Sequence, residues 1–229
     1  MLFKNVALLS TLLACGAVYA ENTPSYQYVE GSVERISQSG EDSFSETGFG
    51  VKTAWQFSEN WFIGAKWDRF SSDESESESF DNERFNETTE LTLDRYYLGA
   101  GYIIPVSDVS NISVAAYLGS YRISAKTTVS AFIDDQQILS ESYSGNSTEN
   151  SVKLETLLRS NISEQLEVSA KVFFEYLNMS QLDNKSQYGI GVGAQYHLGT
   201  NLALTADATY GKVLDENTTQ LGLGLRYNF

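Results

Sequence analysis

The strictest constraint on this chain is a period-two alternation, clearest in its last nine residues. Leu221, Leu223, Leu225, Tyr227 and Phe229 fall on one face of an extended strand, and Gly222, Gly224, Arg226 and Asn228 fall on the other. The layout recurs upstream: Phe49, Val51, Trp55 and Phe57; Ile63, Ala65 and Trp67; Leu98, Ala100 and Tyr102; Val168, Ala170, Val172 and Phe174; Ile190, Val192, Ala194 and Tyr196; Leu202, Leu204, Ala206, Ala208 and Tyr210. Beyond residue 20 no stretch approaches twenty consecutive apolar residues, so no transmembrane helix is available. A chain of this pattern crosses lipid only as a closed β-barrel, the other fold that pairs every backbone group internally.

Counting segments between turn signals gives ten strands: 26–36, 48–57, 61–70, 90–104, 111 to roughly 127, 151–160, 165–178, 188–197, 202–212 and 218–229. Eight is the alternative count. The connections 58–60, 105–108, 161–164 and 198–201 are short. Those at 71–89 and 131–150 are long and polar, and are expected as outer loops, because bacterial barrels have short periplasmic turns and longer outer loops. Leu91, Leu93, Tyr117, Tyr121 and Ile123 interrupt the alternation, which predicts a bulge or register change near Leu91 and Tyr117. Aromatics gather near segment ends as two girdles: Trp55, Phe57, Trp61, Tyr196, Tyr227 and Phe229 toward the periplasm, and Trp67, Tyr176, Tyr188 and Tyr210 toward the outside.

The amino-terminus is consistent with export. Lys4 precedes a mostly apolar run, Val6 to Val18, too short to span, and Val18-Tyr19-Ala20 offers small residues at both cleavage positions. Residues 1–20 read as a signal peptide cut between Ala20 and Glu21, leaving 21–229 as one barrel domain. A second reading takes Leu12-Leu13-Ala14-Cys15-Gly16 as a lipoprotein box that would leave Cys15 lipidated. Cleavage at Ala20 removes the single cysteine, and disulfides and thiol catalysis with it. It also removes Lys4 and no acid, so the formal charge of −15 becomes −16. That surface excludes nucleic acid as a partner and suits cations or basic surfaces.

The face opposite the apolar stripe carries Glu30, Lys52, Lys66, Asp68, Arg95, Lys153, Glu155, Arg159, Glu167, Lys171, Glu175, Asp207 and Arg226, six acids against seven bases. Unpaired charges on a narrow inner wall would each cost several kcal/mol, so a paired network is expected. It is either the lining of a constricted pore or a solvated structural plug. Inner-face glycines such as Gly64, Gly99 and Gly101 either leave space in the lumen or let the strands curve. The run Ser71-Ser72-Asp73-Glu74-Ser75-Glu76-Ser77-Glu78-Ser79 is expected to stay solvated. It lacks the spaced ligands and turn glycine of a calcium loop. The one histidine, His197, ends a strand beside a periplasmic turn and reads as interfacial. Neither a phosphate-binding glycine loop nor a metal-ligand cluster is present in the sequence, so no cofactor is implied.

Three motifs carry a family resemblance: Tyr26-Gln27-Tyr28-Val29-Glu30-Gly31, Tyr97-Leu98-Gly99-Ala100-Gly101-Tyr102, and Leu223-Gly224-Leu225-Arg226-Tyr227-Asn228-Phe229. In this order the chain resembles the small Gram-negative outer-membrane barrels of the porin-family, or OmpA-like barrel domain, class. The resemblance implies a barrel in the outer membrane among lipid and lipopolysaccharide. It also implies that Gly224, Tyr227 and Phe229 are read by the barrel-assembly machinery. The leading expectation for function is a non-enzymatic, porin-like barrel with a narrow, weakly cation-preferring passage for small cations or solutes. The alternative is surface interaction or adhesion through acidic outer loops.

Overall fold

The computed structural model describes residues 23–39, 44–81, 83–134, 136–178, 186–213 and 216–229. The signal-peptide reading, the Ala20–Glu21 junction and Cys15 lie outside them. The described chain is all-β, with ten antiparallel strands: β1 Tyr28–Ser39, β2 Phe44–Gln56, β3 Trp61–Phe80, β4 Glu83–Ser107, β5 Ser110–Ile133, β6 Gln136–Asn161, β7 Leu166–Asn178, β8 Ser186–His197, β9 Leu202–Val213 and β10 Glu216–Asn228. Each pairs with its sequence neighbours, and β1 also pairs with β10, from Tyr28 opposite Asn228 to Ser39 opposite Asn217, closing the barrel. The count is ten, not eight.

Alternation places the apolar stripe on the outer wall. Leu98, Leu118, Val192 and Leu223 each expose 63–71 % of their surface outward, as a lipid-facing band requires. The aromatic rim is locked by ring contacts, Trp61 edge-on to Tyr102 at 5.0 Å and Phe49 edge-on to Trp67 at 5.2 Å. Just beyond Trp67 the outward face turns polar: Arg69 donates to both Asp94 oxygens, at 2.7 and 2.8 Å, and Trp67 Nε1 donates to the same carboxylate at 3.2 Å.

Two expectations fail in the middle of the chain. Strands β4 and β5 stay in unbroken register from Glu83–Ile133 through Pro105–Asn111, so no bulge lies near Leu91 or Tyr117. The shifts fall instead between Pro105 and Ser107, and between Ala131 and Phe132. Tyr117 and Tyr121 broke the pattern because this part of the lumen is itself packed with rings, and both side chains are buried there.

Residues 71–80, 83–89, 131–133 and 136–150 are strand, not loop. β3 to β6 run 20, 25, 24 and 26 residues, against 12 or 13 for the other six strands. Beyond Phe70 they continue as a four-stranded sheet to two tight tips. At ~3.3 Å per residue, the ten residues Ser71 to Phe80 carry the sheet about 33 Å out from the wall. Asp81 and Asp134, just past the ends of β3 and β5, adopt the left-handed backbone, with φ of 51° and 50°, a conformation that suits a turn. Water satisfies both faces of such a sheet, so it needs no apolar stripe, and its polar composition disguised it as loop.

The inner glycines do not leave empty space. A Cβ at position 101 would lie 2.4 Å from the Phe62 ring, and one at position 99 would lie 2.6 Å from the Tyr117 ring. Gly99 and Gly101 are seats for aromatic rings from the adjacent strands, whereas a Cβ at position 191 or 222 would meet Lys171 or Asp207. Gly101→Ala should therefore destabilise the refolded barrel by about 1–3 kcal/mol through overpacking. Adding Phe62→Leu should recover part of that loss. Urea titration followed by tryptophan fluorescence measures both; an unchanged midpoint for Gly101→Ala would contradict the packing described.

Candidate functional site

All thirteen charged residues read from the sequence as inward-facing lie on the inner wall, and the structure joins most of them into ion pairs. Arg226 binds Glu30 at 2.7 Å. Lys52 stands 3.3–3.4 Å from Glu30, Glu34 and Asp207, and Lys171 reaches Asp207 at 3.9 Å. Lys66 and Lys153 share Glu155, at 2.9 and 3.4 Å. Arg95 meets Asp68 at 3.1 Å. Arg159 and Glu167 form a two-pronged pair at 2.6 and 2.8 Å, almost wholly buried. Glu175 accepts from Tyr97, whose hydroxyl also meets that of Tyr121 at 2.6 Å.

Sequence reasoning missed Glu34. It is fully buried, approaches Lys52, accepts from Gln220 Nε2, and accepts from Ser32 Oγ at 2.8 Å. The signal was there: Glu34 has the same strand parity as Glu30. With it, the inner wall set holds seven acids and seven bases.

The periplasmic end is closed by the chain itself. The sequence suggested a strand from residue 26, but pairing starts at Tyr28, and the residues before it turn into the barrel. Tyr26 stacks on Phe62 at 4.5 Å between centroids and donates to Asn111 Oδ1 at 3.1 Å. Asn111 Nδ2 donates to the Pro24 carbonyl at 3.0 Å, and Arg159 donates to the Ser25 carbonyl at 2.6 Å while lying 4.8 Å over the Tyr26 ring. A cavity of about 120 Å³ remains above this seal, lined by Tyr26, Glu30, Lys52, Lys66, Glu155 and Asp207 among others. His197 ends β8, and its Nε2 lies 3.1 Å from Gln195 Nε2; Gln195 Oε1 in turn accepts from Arg226. Among the described residues no group of three or more histidine, cysteine or carboxylate side chains is arranged to hold a metal ion.

The projecting sheet divides its chemistry between two faces. The face continuous with the lumen carries Glu74, Glu76, Glu78 and Glu87, and the opposite face carries Ser75, Ser77, Thr88, Thr128 and Ser142. Hydroxyl pairs cross the strands on the latter face, Ser75 to Thr88 at 3.2 Å and Thr128 to Ser142 at 3.3 Å.

A closed antiparallel barrel with an apolar outer wall and a charged interior is the architecture of outer-membrane proteins. The chain belongs to the family described as "Outer membrane protein beta-barrel domain", which matches residues 6–229. It is a protein of the outer membrane. Among solved structures it is similar to the translocator domain of the autotransporter NalP from Neisseria meningitidis, at 14 % identity and a TM-score of 0.57, over 99 % of this chain and 94 % of that one. It is also similar to the outer membrane protease OmpT from Escherichia coli, at 10 % identity and a TM-score of 0.50, over 89 % and 94 %. Such identities show a shared fold alone, and a translocator and a protease share it. No curated protein sequence matches the chain.

The Arg159–Glu167 pair tests whether the inner charges hold the barrel together. Glu167→Met, which strands a buried guanidinium, should cost about 3–5 kcal/mol, while the double variant Arg159→Met/Glu167→Met should cost less than either single change. Additive losses in urea titrations of the refolded protein would contradict a paired network.

Proposed function

We propose that this barrel is a non-enzymatic surface-interaction protein. In this reading the lumen is a structural interior, and the working surface is the sheet that β3–β6 carry outward. The observation that carries the reading is the extension of four adjacent strands, about ten residues each, into one continuous sheet above the membrane. The interlocked inner charges and the Tyr26 seal support the same division of labour, since both fill the path a solute would take.

A narrow, weakly cation-preferring passage is the second reading. The residual 120 Å³ cavity and the carboxylates at the outer mouth favour it. Within either reading, the apolar wall meets outer-membrane lipid and lipopolysaccharide, and the barrel-assembly machinery reads Gly224, Tyr227 and Phe229 on the closing strand.

Planar-bilayer recording and cell adhesion decide between the two. The refolded protein should give no steady conductance. Replacing residues 72–91 and 125–146 with short turns should leave a folded, heat-modifiable barrel but change the adhesion or aggregation of intact cells that carry it. A steady cation-selective conductance, with adhesion unaltered by the trimming, would overturn the surface reading and support the pore.

A further inference from the structure

Among the described residues the projecting sheet has no neighbour on either side. Within the described residues, β3 beyond Phe70 pairs with β4 alone, and β6 above Asn150 pairs with β5 alone. A free-standing sheet with water on both sides would be expected to be polar on both. This one is not. Its outward face is built largely of serine, threonine and asparagine. Its inward face, continuous with the lumen wall, leaves apolar side chains open: Phe80 (66 %), Phe85 (44 %), Ile133 (40 %), Leu139 (46 %) and Tyr143 (61 %).

Charge is segregated in the same way. Strand parity puts Glu74, Glu76, Glu78, Glu83, Glu87 and Glu141 on the inward face with no base among them, while the outward face mixes Arg84, Arg122 and Lys126 with Asp73, Glu90 and Asp94 and pairs Lys126 with Glu90. Glu76 stands directly opposite Glu87, and the same row continues through Val129 to Glu141. Like charges placed opposite each other on neighbouring strands destabilise a sheet. Among the described residues none of these six carboxylates makes a salt bridge, and Glu141 accepts only from its neighbour Tyr143. Folding gains nothing from this arrangement. A cationic occupant would gain from it.

We propose that the inward face of the projecting sheet docks an extended, cationic and amphipathic polypeptide segment, with basic side chains set against the glutamate rows and apolar ones against Phe85, Leu139 and Tyr143. The inference rests on the surface-interaction reading and names the partner's chemistry. Charge complementarity selects the occupant. A second copy of this chain would bring glutamate rows face to face. A bare metal ion would find no group of three ligands among the described residues, and it would leave the apolar side chains uncovered. An extended segment lying across this face alternates its side chains at the spacing of the strands beneath it, so one of its faces can set basic and apolar groups against the rows below.

The test uses the full chain refolded in lipid nanodiscs and fluorescein-labelled ten-residue probes of alternating Lys and Val, alternating Lys and Ser, and alternating Glu and Val. The Lys/Val probe should bind saturably and lose affinity as salt rises. Glu74→Gln/Glu76→Gln/Glu87→Gln and, separately, Leu139→Ser/Tyr143→Ser should each weaken it at least tenfold. Ser77→Ala/Thr128→Ala on the outward face should change it less than twofold. Single Glu87→Gln serves if the triple variant does not refold. No saturable binding, equal binding of the Lys/Ser probe, or equal sensitivity to outward-face changes would overturn the proposal. If trimming the sheet alters cell adhesion while the Lys/Val probe fails to bind, the partner chemistry is wrong and the surface reading stands. If the barrel conducts and trimming leaves adhesion unaltered, the surface reading itself fails, whatever the probe does.

Discussion

Everything in this molecule follows from closing the hydrogen-bond ladder. In hydrocarbon no water is available to backbone N–H and C=O groups, so a sheet that enters lipid has to end on itself. Here β10 meets β1 over twelve consecutive register positions, from Tyr28–Asn228 to Ser39–Asn217. Once the ring is closed, side-chain parity has no freedom left. One set of residues faces lipid and the other is forced into a tube only ten strands around.

That forced interior explains two features that otherwise look unrelated. On the β2–β5 side, glycines such as Gly99 and Gly101 give up their side chains so that Tyr117 and Phe62 can lie flat against the neighbouring strand. Around the rest of the wall, acids and bases are matched and share partners, as Lys52 does among Glu30, Glu34 and Asp207. Both are ways of filling a narrow lumen without stranding a polar group. The chain before β1 completes the filling, with Tyr26 seated between Phe62 and Arg159 at the periplasmic end.

The wall was legible in the sequence because lipid imposes a pattern: Leu221, Leu223 and Leu225 alternate with glycine and arginine since the wrong residue on either face is expensive there. The same parity brought out thirteen inner charges, and would have given Glu34 had it been applied along the whole first strand. Above the membrane the pattern stops being enforced. Residues 71–80 continue the pairing of 61–70 with β4 in unbroken register, yet serine and glutamate suit a strand with water on both sides, so composition alone suggested a loop. The remaining signal was local chemistry at the tips, where Asp81 and Asp134 accept a left-handed backbone. The Tyr26 seal had no pattern to read, because it depends on Phe62, Asn111 and Arg159 converging from three distant strands.

The central claim is that the wall does not stop at the membrane: four of its strands continue as a hydrogen-bonded sheet that presents different chemistry on its two faces. Amide hydrogen exchange of the protein in lipid, read residue by residue, tests this directly. The account predicts slow exchange across residues 83–92 and 124–133, where β4 and β5 are paired on both sides, with faster exchange at alternate positions along the edges 71–80 and 136–149. Exchange at unstructured-loop rates throughout 71–92 and 124–149, beside a protected wall, would contradict it.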